Sequence, residues 1–130
     1  EIRIMKEWQK INSGRIKLLH EYLPLPLQVR FLSRMDVLMT MDSANLHLAS
    51  LSQVPRIISI WGPTHADLGF GPSADQRNLL IQMDPEQLTC RPCSVFGNKV
   101  CSRGDHACMR NLDALRIAGE ILTAVKGPSF

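Results

Sequence analysis

The stretch VLMTMDSANLHLASL, residues 37–51, decides the fold. It opens with an apolar run typical of a buried strand, passes through Asp42 and Ser43, and continues as a segment with helical character. A second apolar run, RIISIW at residues 56–61, follows that helix. Strand, helix and strand in this order predict two parallel strands joined by a right-handed crossover.

The rest of the chain adds further predicted elements around this unit. Apolar residues at helical spacing predict a helix over residues 2–10, and Trp8 on that helix is expected in the core. Trp61, at the end of RIISIW, is likewise expected in the core. The predicted fold class is α/β, a parallel Rossmann-like sheet flanked by helices. The other predicted elements are a strand at residues 15–19 (RIKLL), a helix from Pro26, a Gly/Pro-rich loop at residues 62–78, a strand at residues 79–83 (LLIQM) and a helix at residues 112–125.

Length and composition place the chain among ordinary globular domains. Its 130 residues, 45% hydrophobic and 21% charged, suffice for one domain with a core. The net charge of +3 is small and the basic residues are scattered, so no nucleic-acid partner is expected. No apolar run approaches the roughly 20 residues that span a bilayer. The chain starts without Met, in residues that already read as a helix, and we expect it to be a piece of a longer protein.

Small and polar residues follow both apolar strands, at the point where each strand ends. In open parallel sheets, ligands bind beyond the carboxyl ends of the strands and near helix N-termini. Ser43 can cap the following helix, His47 lies about one turn further on, and Gly62 permits close backbone approach. Because free N–H groups at a helix start bind anions, this edge suits a diphosphate. Each feature also has an ordinary structural interpretation: a cap, a hydrogen-bonded histidine and a turn.

Taken together, these segments resemble the signature of glycosyltransferase family nine, the ADP-heptose:lipopolysaccharide heptosyltransferases. The resemblance lies in DSANLHLASLSQVPRIISIWGPTH, residues 42–65, and flanking segments extend it over residues 10–126. Ala44 stands where the family has Gly, which removes backbone freedom where a phosphate would approach. The matching positions are Asp42, Ser43, His47, Ala49, Pro55, Gly62, Pro63 and Thr64.

The resemblance implies a two-domain enzyme of the GT-B architecture. Residues 1–130 would form its C-terminal nucleotide-sugar-binding domain, truncated, with the N-terminal acceptor domain absent. The implied activity is the transfer of heptose, with inversion, from ADP-heptose to the lipopolysaccharide inner core. The catalytic base is expected in the missing domain, so this chain alone is expected to be inactive, and no cofactor is required for catalysis. The donor-binding residues that the resemblance implies are Asp42, Ser43, Ala44 and His47, with Thr64 nearby.

The same resemblance implies a bacterial, cytoplasmic location at the inner face of the inner membrane, with peripheral membrane association. The implied partners are the ADP-sugar donor and, through the full protein, the lipopolysaccharide acceptor. Two rival functions stay open. One is another nucleotide-sugar-binding domain with the same sheet, although no G-x-G-x-x-G follows a strand as in a dehydrogenase. The other is a zinc-stabilised, non-catalytic interaction module.

All four cysteines lie in one irregular segment, residues 85–111, with the spacing C-x2-C-x7-C-x6-C. Four thiols can hold Zn²⁺ tetrahedrally, and C-x2-C is the usual half-site, although the second pair lacks that spacing. Three states are open: structural zinc with His106 as a spare ligand, free thiols packed in a loop, or disulfides formed in purification. Lys99 would offset phosphate charge if this segment folds over the strand ends. The cysteines are Cys90, Cys93, Cys101 and Cys108.

Overall fold

Three parallel strands form the centre of the structure. It is a computed structural model that describes residues 2–19, 23–71 and 78–126. Within these ranges the strands, which pair side by side in sequence order, are β1 (Val37–Met41), β2 (Arg56–Trp61) and β3 (Asn78–Gln82).

The described helices are α1 (Ile2–Ile11), α2 (Leu25–Leu32), α3 (Ala44–Leu51), α4 (Ala107–Arg110) and α5 (Ala114–Lys126), and a 3-10 turn covers Ala66–Leu68. α3 connects β1 to β2 and packs against both strands, α2 packs against α3, and α5 packs against β1. The prediction of an α/β fold with a parallel sheet flanked by helices is therefore confirmed.

β2 lies between the other two strands and is the most deeply buried of the three. Ile57, Ile58 and Ser59 are each no more than 1% exposed. β-Branched side chains such as Ile suit a pleated strand that is covered on both faces. The register places Met41 opposite Ile60 and Ile60 opposite Ile81, so the three strands end at a common edge.

One apolar cluster fixes α2 and α3 to the sheet. Trp61 is fully buried in it, and its indole Nε1 donates to Ser59 Oγ at 3.0 Å. The core position predicted for Trp61 is thus confirmed. Burying a large apolar side chain completely contributes about 1.5–3 kcal/mol, so this cluster is the main source of stability for the unit. Its buried members are Leu32, Leu46, Ala49, Val54, Ile57 and Trp61.

The strand predicted at residues 15–19 is absent, since these residues form no regular structure. The backbone N–H groups of Arg15 and Ile16 donate to the Asn12 carbonyl oxygen at 3.1 and 2.8 Å. This turn follows the end of α1 and uses donors that a strand would offer to its neighbour. The described part of the sheet accordingly has three strands rather than the four predicted.

Trp8 does not lie in the core. It is 57% exposed, and no residue of α1 is buried. The spacing of apolar residues gives α1 an apolar face, but spacing does not tell what covers that face. Among the described residues, no helix has both the length and the apolar character needed to cross a bilayer.

Candidate functional site

The strands end at one edge of the sheet, where the residues singled out from the sequence lie. β1 continues into Asp42 and Ser43, β2 into residues 62–64, and β3 into residues 83–84. We call residues 42–43, 62–64 and 83–84 together the exit edge. Since neighbouring strands lie about 4.8 Å apart, the residues that follow β1 and β2 are within reach of one small ligand group.

Ser43 occupies the N-cap position of α3, with extended backbone angles of φ −160° and ψ 166°. Its hydroxyl does not cap the helix, however, and the prediction of a side-chain cap is wrong. Ser43 Oγ lies 3.1 Å from Thr40 Oγ1, and this nearby hydroxyl on β1 competes with the helix N–H groups for it. The Leu46 N–H donates to the Ser43 carbonyl oxygen at 3.0 Å. The Ser43 hydroxyl therefore leaves the first N–H groups of α3 available to an anion.

The other predicted donor residues lie around this helix start, with different degrees of exposure. Asp42 is half-buried, whereas Ala44 and His47 are exposed on the first turn of α3. Thr64 lies on the neighbouring strand exit but is only 4% exposed. The structure thus brings Asp42, Ser43, Ala44 and His47 together on one surface. It places Thr64 beneath that edge, as support rather than as surface.

Gly62 packs closely against the cysteine-rich segment rather than leaving room for a ligand. A Cβ atom added at Gly62 would lie 2.7 Å from Met109 Sδ and 3.9 Å from Cys108 Sγ. The prediction that Gly62 permits close approach is right about the need for a small residue. In the structure the group that approaches Gly62 is Met109 of α4, and the approach of a phosphate to this backbone stays a prediction.

Arg91 is the main residue at this edge that sequence reasoning missed. It is only 7% exposed, and its guanidinium extends from the cysteine-rich segment to the ends of β2 and β3. A single buried side chain thereby joins three parts of the chain. Its acceptors are the carbonyl oxygens of Gly62 (2.5 Å), Met83 (2.6 Å), Thr64 (2.9 Å) and Trp61 (3.3 Å), and Gln82 Oε1 (3.1 Å).

The acceptors of Arg91 in the described residues are all neutral, although the guanidinium carries a full charge. Burial lowers the pKa of Arg91 below its ordinary value, and the nearby Cys108, Cys93 and Cys90 offset only part of this shift. The residue lies between Cys90 and Pro92 in CRPC, and nothing in that spacing shows which carbonyl groups it meets. Only the folded chain reveals it as an anchor of the exit edge.

Gln82, at the end of β3, extends this network towards the loop after β2. Its Oε1 accepts from Arg91, so its amide NH₂ faces His65 and donates to His65 Nε2, 3.1 Å away. His65 Nδ1 lies 3.2 Å from the backbone N of Asp67 and 3.4 Å from its carboxylate. His65 is therefore a connecting residue between two strand exits.

The cysteines lie next to the exit edge, with all four thiols free. Cys93, Cys101 and Cys108 line a cavity of about 130 Å³, together with Lys99 and His106. Pro63 of the exit edge lines the same cavity, so the segment does fold against the strand ends. Within the described residues, no three His, Cys, Asp or Glu side chains are already placed to hold a metal ion. The zinc site at Cys90, Cys93, Cys101 and Cys108 stays a prediction.

Two of these thiols have shifted pKa values, in opposite directions. Burial, with additional effects from the neighbouring thiols, raises the pKa of Cys93. The backbone N–H of His106, helped by those of Arg103 and Gly104, lowers the pKa of Cys101. The thiolate form is thus favoured at Cys101 and disfavoured at Cys93.

Two larger cavities lie near the exit edge. One of about 390 Å³ is lined by α2 and by Leu38 and Asn45. The other, of about 300 Å³, is lined by the end of β3 and the start of α5, including Asp84 and Arg116. Neither is lined by Asp42, Ser43, Ala44 or His47, so these four residues form a surface beside the cavities.

Comparisons of the chain with protein-family models, with curated proteins and with solved structures gave no match.

Proposed function

We propose that the chain is the donor-binding part of an inverting glycosyltransferase that moves heptose from ADP-heptose to the lipopolysaccharide inner core. It would belong to the C-terminal half of a GT-B enzyme. The observation that carries the proposal is the β1–α3–β2 unit, which brings residues 42–47 and 62–64 to one edge of a parallel sheet. Nucleotide ligands bind at such edges in parallel α/β sheets.

The start of α3 suits the diphosphate of the donor. Its first N–H groups are not taken by the Ser43 side chain, and the helix dipole adds partial positive charge at this end. The Ser43 hydroxyl, held near Thr40, and the exposed imidazole of His47 supply side-chain donors beside them. These groups belong to Ser43, Ala44 and His47, the residues that the resemblance implies for donor binding.

Asp42 has a different role in this proposal, because a carboxylate repels a phosphate. It is half-buried at the end of β1 and next to the helix start. A carboxylate accepts hydrogen bonds from hydroxyl groups. Asp42 would therefore accept from a hydroxyl of the sugar or the ribose, with the phosphates on the side of α3.

The chemical contribution of this domain would be to stabilise the leaving group. An acceptor hydroxyl, deprotonated by a base in the other domain, attacks the anomeric carbon while the bond to the diphosphate breaks. The charge that develops on the diphosphate is stabilised by preorganised donors at the α3 start. No catalytic residue is assigned in this chain, and the open surface at Asp42–His47 would be closed by the acceptor domain.

The test is a titration of the ¹⁵N-labelled chain with ADP, ADP-heptose, UDP and NAD, followed by NMR. The two ADP compounds are expected to shift the amide signals of residues 42–47 and 62–65. Changing both Ser43→Ala and His47→Ala should weaken binding about tenfold or more, because hydrogen bonds to charged groups contribute roughly 1.5–3 kcal/mol. Ser33→Ala is the control, since Ser33 is exposed at the end of α2 and bonds only to a local carbonyl.

Three outcomes would count against the proposal. Tighter binding of UDP or NAD would favour another nucleotide-sugar or dinucleotide domain on the same sheet. Signal changes centred away from residues 42–47 would reject the site. No response to any of the four compounds would reject donor binding by this chain.

The cellular setting follows from the same proposal. A lipopolysaccharide acceptor would bring the full enzyme to the inner face of the inner membrane of a bacterium, as a peripheral protein working in the cytoplasm. Co-sedimentation of the chain with vesicles containing anionic lipid, compared with neutral vesicles, tests whether this part of the enzyme takes part in that association.

A further inference from the structure

The cysteine-rich segment gathers four sulfur atoms beside the exit edge. Cys93, Cys101 and Cys108 line one cavity of about 130 Å³. Cys90 packs on the apolar cluster that contains Cys108, and its carbonyl oxygen accepts from the Cys93 thiol at 3.5 Å. Positions up to 18 residues apart in sequence are thus neighbours in space, which their spacing alone does not require.

The loop after Cys101 turns back towards the cavity. The Gly104 N–H donates to the Cys101 carbonyl oxygen at 3.1 Å, and Gly104 makes this turn possible with φ at +72°. Cys101 and His106, on the two sides of the turn, line the same cavity. Thiolates, not thiols, bind metal ions.

The charges around the cavity fit a group with two negative charges. Arg91 of the same segment is buried and meets only neutral acceptors among the described residues, while Lys99 lines the cavity wall. Four thiolates around one Zn²⁺ carry a net charge of −2, which these two cations balance. Three thiolates and a neutral histidine would carry only −1, so the charge balance favours four sulfurs.

We propose that Cys90, Cys93, Cys101 and Cys108 bind one structural Zn²⁺ as a tetrahedral four-thiolate site. Their side chains are not yet at ligand distances from a common point. Binding must therefore rearrange the side chains and the loop so that the four sulfurs lie about 2.3 Å from the ion. This site is independent of the proposed donor binding and would exist whichever ligand the exit edge takes.

The metal would fix the segment on the exit edge. The Cys93 backbone N–H donates to the Pro63 carbonyl oxygen at 2.7 Å, and Cys108 lies directly behind Gly62. A tetrahedral site that contains both cysteines would hold residues 62–64 between β2 and the segment. The role is structural, as in sites whose ligands are all provided by the protein.

The test is metal analysis of the full chain purified under reducing conditions without chelator. One Zn²⁺ per chain is expected, and replacement by Co²⁺ should give the strong visible absorption of a tetrahedral thiolate site. Each Cys→Ser variant should lower zinc affinity by more than the roughly 10–100-fold that loss of an outer-shell partner costs. Ser102→Ala and His106→Ala, which remove neighbouring side chains but no sulfur, should keep the metal.

The result that overturns the proposal is a reduced, folded chain that binds no zinc above background. Disulfides among these cysteines in the freshly purified protein, shown by intact mass, would overturn it as well. Loss of zinc in His106→Ala with retention in Cys90→Ser would replace the four-thiolate site by one with three thiolates and a histidine. If the serine variants fail to fold, the wild-type chain still decides: zinc release on mercurial titration must require four thiols per ion.

Discussion

The βαβ unit of residues 37–61 and the cysteine-rich segment of residues 85–111 are held together by different interactions. In the first, buried side chains such as Leu46 and Trp61 pack on one another and are not exposed at all. In the second, Phe96 and Val100 are 74% and 93% exposed, and the segment is joined to the sheet by the hydrogen bonds of Arg91 as well as by the packing of Met109 on Gly62. Apolar packing can therefore be predicted from the sequence pattern, whereas anchoring by the buried guanidinium of Arg91 cannot.

The largest expected effect on stability comes from a substitution in the apolar core of the βαβ unit. Trp61→Ala should lower the free energy of unfolding by about 3–5 kcal/mol, because it leaves a cavity under β2 and removes the bond to Ser59. The matched control is Trp8→Ala, since Trp8 is 57% exposed and surface substitutions change stability by about 0.5 kcal/mol or less. Urea unfolding followed by circular dichroism measures both. Similar losses of unfolding free energy in the two variants would contradict either the buried position of Trp61 or the exposed position of Trp8.

The second-largest expected effect on stability comes from removing the guanidinium of Arg91, which anchors the cysteine-rich segment to the sheet. Arg91→Met should cost about 2–3 kcal/mol, because it leaves several buried carbonyl groups without a donor. Hydrogen exchange should quicken most at the Cys93 amide, whose partner is the Pro63 carbonyl oxygen, and least in β2. Arg103→Met is the control, since Arg103 pairs with Asp105 on the surface, where such pairs contribute little. Equal effects of the two arginine variants would show that Arg91 is not an anchor.

The sequence predicts the paired strands of the βαβ unit correctly but wrongly predicts a strand at residues 15–19. The continuous apolar runs in β1 and β2 predict strands covered on both faces. Both strands are present, but only β2 is covered on both faces, since Met39 and Met41 of β1 are 50% and 48% exposed. RIKLL has a similar composition, but its backbone is used in the turn after α1. Local pattern cannot distinguish these cases, because the difference lies in whether a neighbouring strand is within reach.

For the candidate site, the sequence predicts where the residues lie better than it predicts which groups they contact. Asp42, Ser43 and His47 lie together at the start of α3, as the strand-to-helix transition requires. The actual partner of the Ser43 hydroxyl, Thr40, lies on the preceding strand, and that of Gly62 is Met109. Such partners depend on tertiary packing, so no spacing rule could have given them.

A smaller effect on stability is expected where Gly62, at the end of β2, contacts Met109 of the cysteine-rich segment. Gly62→Ala places a methyl group against Met109, whose flexible end can move, so a loss of about 1 kcal/mol is expected. Combining it with Met109→Ala should cost less than the sum of the two single variants, because the shorter side chain makes room. Chemical denaturation of the three variants gives the coupling energy. Strict additivity would mean that the two residues do not touch.

The smallest effect changes no packing and concerns the thiols alone. In the reduced, zinc-free chain, alkylation by iodoacetamide proceeds through the thiolate, so a thiol with a lower pKa reacts at lower pH. Amide donors lower the pKa of Cys101, whereas burial and neighbouring thiols raise that of Cys93. The pH midpoint for Cys101, followed by mass spectrometry, should therefore lie below that for Cys93. In urea the two pH midpoints should converge, because both pKa shifts come from the folded environment. A midpoint for Cys93 below that for Cys101 in the folded chain would contradict the opposite pKa shifts of the two thiols. Two different features of the segment therefore control its thiols: backbone amides lower the pKa of Cys101, and burial raises the pKa of Cys93.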